Sequence, residues 1–327
     1  MKTTVEEQKV ADYNNIFDEK SYSKRSPFAQ KVTDSYYDLM TQFYESGWGE
    51  SFHFAPRYKG EDLKASIVRH EHYLAVKLGL SPKDIVLDAG CGVMGPARNI
   101  ARVAGSHIIG LTINRHQVER CNELNNKTSV SHLLSAKQGD FMDIPYPDNY
   151  FDKIYAIEAL CHAPDLVAVY KQIYSKLKPG GKACLYEWAM TDKFDPGNAK
   201  HLEVKKMIEY GNSICELKTI AEINEAIQKA GFIKEETLDL ATANSTETDI
   251  PWYSTLQSGL SFSHIRHTKV SRTIVHYLLS AFEFSRLIKA GVSKTHKILL
   301  MAADGLVAGG EMGIFTPMYL VLLRKGI

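Results

Sequence analysis

Apolar and polar residues alternate along this chain in the manner of an α/β protein. Short apolar runs rich in branched residues predict buried strands, and apolar residues spaced three or four apart predict amphipathic helices between them. This alternation predicts a doubly wound parallel sheet with helices on both faces. The predicted strands are 85–87, 107–112, 136–141, 151–157, a strand beginning at 182–187, and 232–238; the predicted helices are 65–78, 96–103, 114–122, 166–177 and 219–230.

A glycine turn follows the first predicted strand. Gly90 and Gly92 can adopt backbone angles closed to other residues and let a ligand approach the main chain, while the next helix directs free N–H groups at it. Asp88, two residues before the first glycine, is typical of turns that bind S-adenosylmethionine. A strand-to-helix turn without a ligand is the alternative. The same edge of the sheet is predicted to carry Thr112, Asn114, Asp140, Glu158 and Glu187.

The composition favours a globular protein without a membrane span. The chain has 327 residues, of which 44% are hydrophobic, and it contains no run of 18 uncharged apolar residues. Its first thirty residues are polar, so we expect no signal peptide and a cytoplasmic location. The net charge of +1 argues against a nucleic-acid partner. Five dispersed cysteines predict free thiols, and His70 and His72 are too close in sequence to share a helix face, so no metal site is expected.

Three zones differ in composition. Residues 1–35 form a polar leader, 36–240 combine an aromatic segment with the alternating core, and 241–327 form a cap of aromatic and apolar helices. The aromatic segment is dense in Tyr, Phe and Trp up to residue 58. Within the cap, residues 273–287 carry apolar side chains at helical spacing with few charges, which either core packing or contact with a lipid surface explains.

Several separated motifs resemble the sterol C-methyltransferase family. They are FYESGWGESFHF at 43–54, RHEHYLA at 69–75, the glycine turn with GPAR at 95–98, IEALCHAP at 157–164, YEWAMTD at 186–192, IPWY at 250–253, LVAGG at 306–310 and FTPM at 315–318. The resemblance covers roughly residues 36–323. It implies the seven-stranded, Rossmann-like sheet of class I methyltransferases, an enzyme, and S-adenosylmethionine as the cofactor.

The resemblance also assigns cofactor contacts. Gly90, Gly92 and the backbone near Ala89, with Asp88, hold the methionine part, and Asp140 and Phe141 lie beside the adenine. A carboxylate accepts a hydrogen bond from the adenine amino group and an aromatic neighbour packs on its ring. The acidic residue that most methyltransferases place after the second strand is absent here. Its polar substitutes for the ribose are Thr112, Asn114 and Gln117, and Glu158 completes the predicted cofactor contacts.

The family's reaction adds a methyl group to the side-chain double bond of a sterol. The resulting carbocation needs aromatic faces, and a base then removes one proton. The predicted aromatic wall and substrate contacts are Tyr44, Trp48, Phe52, Tyr186 and Trp252, for which packing in the core is the alternative. The candidate catalytic groups are Glu158, His162, Glu187, Tyr44 and Glu50.

Four residues depart from the family pattern. Met94 stands where the family usually has glycine, Ser46 replaces an aromatic residue, Leu160 a threonine and Glu50 a small residue. These changes keep open methylation of ring carbon 4 next to a 3-keto group, with Glu50 as the base, and methylation of another isoprenoid such as squalene. A lipid-binding protein without turnover is an alternative of another class.

Because sterols are nearly insoluble in water, the sequence also predicts how the protein meets its substrate. We expect peripheral contact with the endoplasmic reticulum or another lipid surface, through Trp252 or the region of Leu278. A homo-oligomer is a further expectation.

Overall fold

The structure is a computed structural model that describes residues 49–242, 249–256, 277 and 292–327, with side chains in the last range from Ile298 onward. Its main sheet has seven strands, namely β2 (Ile85–Ala89), β3 (His107–Thr112), β4 (Leu134–Gln138), β5 (Phe151–Ile157), β6 (Leu177–Met190), β7 (Ile233–Asp239) and β9 (Phe315–Arg324). Their order across the sheet is β4-β3-β2-β5-β6-β9-β7. The seven-stranded fold predicted from the sequence is confirmed.

Helices cover both faces of this sheet and enclose two hydrophobic clusters. They are α1 (Leu63–Leu78), α2 (Gly95–Ala104), α3 (Arg115–Asn125), α4 (Leu166–Lys176), α5 (Ala199–Gly211), α6 (Ile220–Ala230) and α7 (Val292–Glu311). Several begin at side chains that accept a backbone N–H, among them Asp62 before α1 and Asn114 before α3. None of the described helices is long and apolar enough to cross a membrane.

The strand β9 corrects two expectations. It lies antiparallel between β6 and β7, so the sheet is mixed and not wholly parallel. It also makes Phe315–Arg324 part of the sheet, although the sequence pattern assigns residues 241–327 to a helical cap. The physical reason is burial on both faces, since nine of its ten residues are buried. For the residues between 241 and Phe315, the predicted boundary between core and cap at residue 240 stays a prediction.

The strand β6 begins earlier than the sequence pattern predicts. Its first residue, Leu177, pairs with Phe151, and the register then shifts so that Lys182 pairs with Lys153. The intervening Pro-Gly-Gly segment is therefore an irregularity within the strand instead of a loop before it.

A second, two-stranded sheet joins distant parts of the chain. The strands β1 (Arg57–Tyr58) and β8 (Asp249–Ile250) pair antiparallel. Next to them Phe54 packs edge-on against Trp252, with 4.8 Å between ring centroids. This contact attaches the end of the aromatic segment to the IPWY motif.

Candidate active site

A cavity of about 310 Å³ lies at the carboxyl ends of β2, β3 and β5. That volume is at the lower end of the roughly 300–1,000 Å³ of ligand cavities. Residues from five separate stretches of sequence meet there, as the strand pattern predicts for this edge of the sheet. Of the predicted site residues, the lining includes Glu50, Phe52, Asp88, Gly90, Gly92, Thr112, Gln117, Asp140, Phe141, Glu158 and His162.

Other predicted site residues lie elsewhere. Ala89 is buried at the end of β2, and the Asn114 side chain accepts the Gln117 N–H at 2.8 Å as the cap of α3. Tyr186 is in the core, stacked on His70 at 4.0 Å. Trp252 is buried against Phe54 and Phe315. Tyr44 and Trp48 lie outside the described residues.

Glu187 needs a separate correction. Its carboxyl oxygen accepts the Tyr170 hydroxyl at 2.8 Å, and the side chain borders a second cavity of about 10 Å³. The cause is the alternation of side chains along a strand, which directs Glu187 and Trp188 to opposite faces. Trp188 is the neighbour whose side chain contacts the main cavity's Glu158.

The glycine turn has one position, Gly90, at which both the backbone angle and the available space require glycine. Gly90 has φ +85°, and a Cβ there would come within 2.4 Å of the Ala159 Cβ. The N–H groups of Gly90 and Cys91 both donate to the Leu111 carbonyl, at 2.9 and 3.0 Å. These bonds tie the turn to β3 and fix the floor of the cavity.

Glu158 is the most constrained carboxyl group of the cavity. Its Oε1 accepts the Phe54 N–H at 2.7 Å, and its Oε2 accepts the Trp188 indole N–H at 2.7 Å. Burial raises the pKa of Glu158 to about 7, although the His53 charge and these two donors act in the opposite direction. Glu158 also has φ +54°, which is uncommon for a residue other than glycine. A carboxyl group with this pKa can accept or release a proton at neutral pH.

Two further titratable groups line the cavity. Burial raises the pKa of Asp88 to about 7, and the Tyr155 hydroxyl donates to its Oδ2 at 3.0 Å. Burial lowers the pKa of His162 to about 4, so this ring is neutral at pH 7. His162 Nδ1 is 3.2 Å from the Ser213 carbonyl oxygen, which identifies Nδ1 as the protonated nitrogen.

Glu50 is held by an ion pair. Its Oε2 accepts from the guanidinium of the buried Arg98 at 2.8 Å, and Arg98 also donates to the Val93 carbonyl and to Asn125. The Glu50 backbone oxygen is so close to Gly95 that a Cβ on Gly95 would lie 2.1 Å from it. These contacts hold the start of the SFHF segment against the glycine turn.

Comparison with known proteins decides the family. A model described as "Sterol methyltransferase C-terminal" matches residues 262–326, and one described as "Methyltransferase domain" matches residues 87–185. The chain is 46% identical over 295 residues to a cycloartenol-C-24-methyltransferase of Arabidopsis thaliana, covering 90% of this chain and 87% of that protein. It is 40% identical over 328 residues to a sterol 24-C-methyltransferase of Saccharomyces cerevisiae, covering 98% and 81%. The chain belongs to the sterol methyltransferase family.

Solved structures agree with this fold for the sterol methyltransferase. The cyclopropane synthase MmaA2 from Mycobacterium tuberculosis has a TM-score of 0.69 at 16% identity, covering 90% of this chain and 98% of that one. A sarcosine dimethylglycine methyltransferase structure from Galdieria sulphuraria has a TM-score of 0.65 at 21% identity, covering 87% and 97%. The class I methyltransferase fold and the family resemblance predicted from the sequence are confirmed.

The cavity of this sterol methyltransferase fits S-adenosylmethionine. Gly90 and Gly92 lie beside Asp88, which matches a ligand whose methionine part carries an amino group and a sulfonium. Thr112, Gln117, Asp140 and Phe141 lie at the ends of the neighbouring strands, where a nucleoside would bind. Among the described residues, no group of His, Cys, Asp and Glu side chains is arranged to hold a metal ion.

His53 is a site residue that was not predicted from the sequence. This buried histidine lines the cavity, with Nδ1 2.7 Å from the Phe54 carbonyl oxygen and Nε2 3.1 Å from Glu71 Oε1. Burial, the largest single effect, lowers the pKa of His53, but the hydrogen bond and charge of Glu71, the charge of Glu158 and the hydrogen bond to the Phe54 carbonyl together raise it by more. The pKa of His53 therefore lies above its ordinary value. The available signal was its place between two aromatic residues in a family motif.

Proposed function

We propose that this sterol methyltransferase transfers the methyl group of S-adenosylmethionine to carbon 24 of a sterol side chain. The observation that carries the proposal is the match, over at least 90% of the chain, to relatives named for methylation of carbon 24. The cavity supports the same chemistry, because a cofactor-sized space is combined with a carboxyl group that can exchange a proton at neutral pH.

S-adenosylmethionine supplies an electrophilic methyl group on a positively charged sulfur. Transfer to the sterol double bond would break the bond between this methyl group and sulfur, with S-adenosylhomocysteine as the leaving group, and would leave a positive charge on the sterol and one proton to be removed. Glu158, as the carboxylate, accepts this proton, while Phe54 and Trp188 hold its two oxygens. In their ionised forms, Asp88 and Glu158 favour binding of cations in the cavity.

The aromatic contribution to the sterol site has two parts. Phe52 lines the cavity, and Tyr44 and Trp48 precede it in the same motif, so we assign all three to the wall that faces the positive charge. Behind Glu158, the rings of Phe54, Trp188 and Phe315 pack together, with 6.2 Å between the first two centroids and 5.3 Å between the last two. This second group supports the carboxyl group.

The alternatives are less favoured. Methylation at ring carbon 4 would need Glu50 as a base, but Glu50 is paired with Arg98. The relatives are named as C-24-methyltransferases, which argues against both a squalene substrate and a protein that only binds lipid. Met94, Leu160 and Ser46 are then compatible with the usual reaction of the family.

Product analysis tests the carbon that is methylated. The purified protein is incubated with labelled S-adenosylmethionine and either a sterol with a side-chain double bond or a 3-keto sterol with a saturated side chain. We expect the label in the side chain of the first sterol, located by mass spectrometry. Label at ring carbon 4 of the second sterol would replace our proposal, and label in neither would point to another isoprenoid substrate or to lipid binding without turnover.

A pair of variants tests the base. Glu158 and Glu187 are both buried carboxyl groups with a pKa near 7, but only Glu158 lines the main cavity. We expect E158Q to lower kcat by roughly 100-fold or more and the matched E187Q to keep kcat within about threefold. Both variants are expected to retain thermal stabilisation by S-adenosylhomocysteine. Equal losses in the two variants would remove Glu158 from this role.

We further propose that the enzyme meets its sterol at a lipid surface. Trp252 is unsuited to the contact because it is buried, and Leu278 lies outside the described residues. Tyr277, beside Leu278, is 70% exposed and is the better anchor. Y277S should weaken sedimentation with liposomes. Self-association remains a prediction that light scattering measures.

A further inference from the structure

His53 has hydrogen-bond acceptors at both ring nitrogens. Nδ1 lies 2.7 Å from the Phe54 carbonyl oxygen, and Nε2 lies 3.1 Å from Glu71 Oε1. A carbonyl oxygen accepts hydrogen bonds and cannot donate one. A neutral ring would leave a nitrogen lone pair facing an oxygen on one of these two sides. His53 is only 3% exposed, so water is poorly placed to separate that lone pair from the facing oxygen.

The protonation state of Glu71 decides that of His53. Glu71 is fully buried, its Oε1 accepts the Ser51 hydroxyl at 2.7 Å, and its Oε2 accepts the Asn99 side-chain N–H at 2.7 Å. Both oxygens therefore serve as acceptors, which is the pattern of an ionised carboxylate. A carboxylate facing Nε2 and a carbonyl facing Nδ1 together require hydrogen on both nitrogens.

We propose that His53 is held as an imidazolium and acts as a positioning residue that keeps the Glu158 carboxylate ionised and oriented for proton removal. The amide that follows His53, the N–H of Phe54, donates to Glu158 Oε1 at 2.7 Å. The cation and the base are thus attached to one another through a single peptide unit. This inference rests on the proposed function of Glu158, although the charge of His53 can be measured independently.

The other groups around His53 do not replace its charge. Glu71, on α1, is its counterion, while Asp88, at the end of β2, and Glu158, after β5, are carboxyl groups that its charge favours in their ionised form. His70, whose ring centroid is 5.9 Å away, has a pKa lowered by burial first and by the His53 charge second, and so is neutral. Among these neighbours His53 is the cation, and its loss would favour protonation of Glu158.

Nitrogen NMR of histidine-labelled enzyme tests the charge directly. We expect the His53 signals, assigned by their loss in H53Q, to show two protonated nitrogens at pH 7 without any ligand. E71Q should return the ring to the neutral form at the same pH. A neutral His53 in the wild-type protein at pH 7 would overturn the proposal, whether or not the enzyme methylates sterols.

The pH dependence of kcat tests the effect on Glu158. In H53Q the acid limb of the kcat profile should move upward by about one pH unit, with kcat approaching the wild-type value at high pH. E71Q keeps the histidine but removes its counterion, so it should shift the acid limb of the kcat profile in the same direction. E71Q therefore replaces H53Q in this test if H53Q does not fold. Loss of kcat by the same factor at every pH would indicate a merely structural role and overturn the proposal. If wild-type enzyme shows no methyl transfer, the proposed function fails, and the NMR result still decides the charge of His53.

Discussion

Met94 combines a buried side chain with backbone angles that favour glycine. At the residue before α2 it has φ 61° and ψ 29°, and its side chain is completely buried next to Gly110. A side chain in this left-handed conformation costs about 1 kcal/mol, which explains why glycine suits the position. The buried thioether, which accepts from Asn125 Nδ2 at 3.4 Å, offsets that cost by packing.

This conflict predicts an unusual order of stability. Both M94A and M94G should be less stable than the wild type by about 2–5 kcal/mol, because both lose the buried side chain. M94G should be the more stable of the two by about 1 kcal/mol, because glycine relieves the backbone strain. Urea unfolding measures the difference, and A97G inside α2 is the control, in which glycine should be the less stable residue. A more stable M94A would show that the strain is absent.

Helices α5 and α7 approach each other closely through glycines. A Cβ on Gly211 would lie 2.5 Å from the Ala302 Cα, and one on Gly305 would lie 2.9 Å from the Met207 Cβ. Backbone atoms cannot give way as the end of a flexible side chain can. The close pairing of these helices therefore depends on residues that lack a side chain.

We expect G211A to separate α5 from α7 and to reduce the free energy of unfolding by about 1–3 kcal/mol. G326A is the matched control, because its Cβ would meet nothing closer than 3.9 Å, and we expect its stability to change by less than about 0.5 kcal/mol. Chemical denaturation of both variants measures the effect. Equal stability of G211A and wild type would mean that the helices can move apart without loss.

Sequence patterns located the elements whose signals are local. The strands His107–Thr112 and Phe151–Ile157 coincide with the predictions, because the first is a run of apolar, partly branched residues and the second ends in four consecutive apolar residues. The strand Phe315–Arg324 was missed, since an apolar run after a long helical region suits a buried helix or a strand equally. The glycine spacing was also less informative than Asp88, because Gly90, Gly92 and Gly95 match the G-x-G-x-x-G of dinucleotide-binding turns as well.

At the scale of the whole molecule, the sequence predicted which edge of the sheet holds the site. It could not predict which side of a strand each residue faces near its end. Glu187 faces away from the cavity for this reason, whereas Trp188, which was overlooked, contacts Glu158. Tyr186 shares the Trp188 side of the strand but stacks on His70 in the core. His53 and Glu71, 18 positions apart, meet only through the fold, so their ion pair had no local signal.

Three buried carboxyl groups give the folded protein a characteristic pH dependence. Burial raises the pKa of Asp88, Glu158 and Glu187 to about 7, whereas unfolded chains have values of about 4. Between these values the folded state holds protons that the unfolded state releases. Their stabilising contribution is therefore complete below about pH 4 and is lost as the pH rises through 7. The low pKa of His162 has the opposite effect on stability. Below its ordinary pKa the unfolded chain binds a proton that the folded protein does not, so His162 destabilises the fold as the pH falls.

E187Q isolates one of these contributions. Because glutamine can still accept the Tyr170 hydroxyl but cannot ionise, E187Q should become more stable than wild type as the pH rises from about 4.5 to 7, by up to about 3 kcal/mol. Unfolding measured across this range shows the trend, with E119Q on the exposed face of α3 as the control. Parallel stability curves for E187Q and wild type would contradict it.

The position of β9 has a consequence for biosynthesis. A ribosome makes β6 and β7 well before Phe315–Arg324, yet that late strand forms every ladder hydrogen bond between them. A nascent chain therefore carries two open strand edges until β9 emerges, and such edges readily pair with other chains. The methyltransferase sheet can therefore be completed only after translation has passed residue 324, and until then the edge of β6 stays open to other chains.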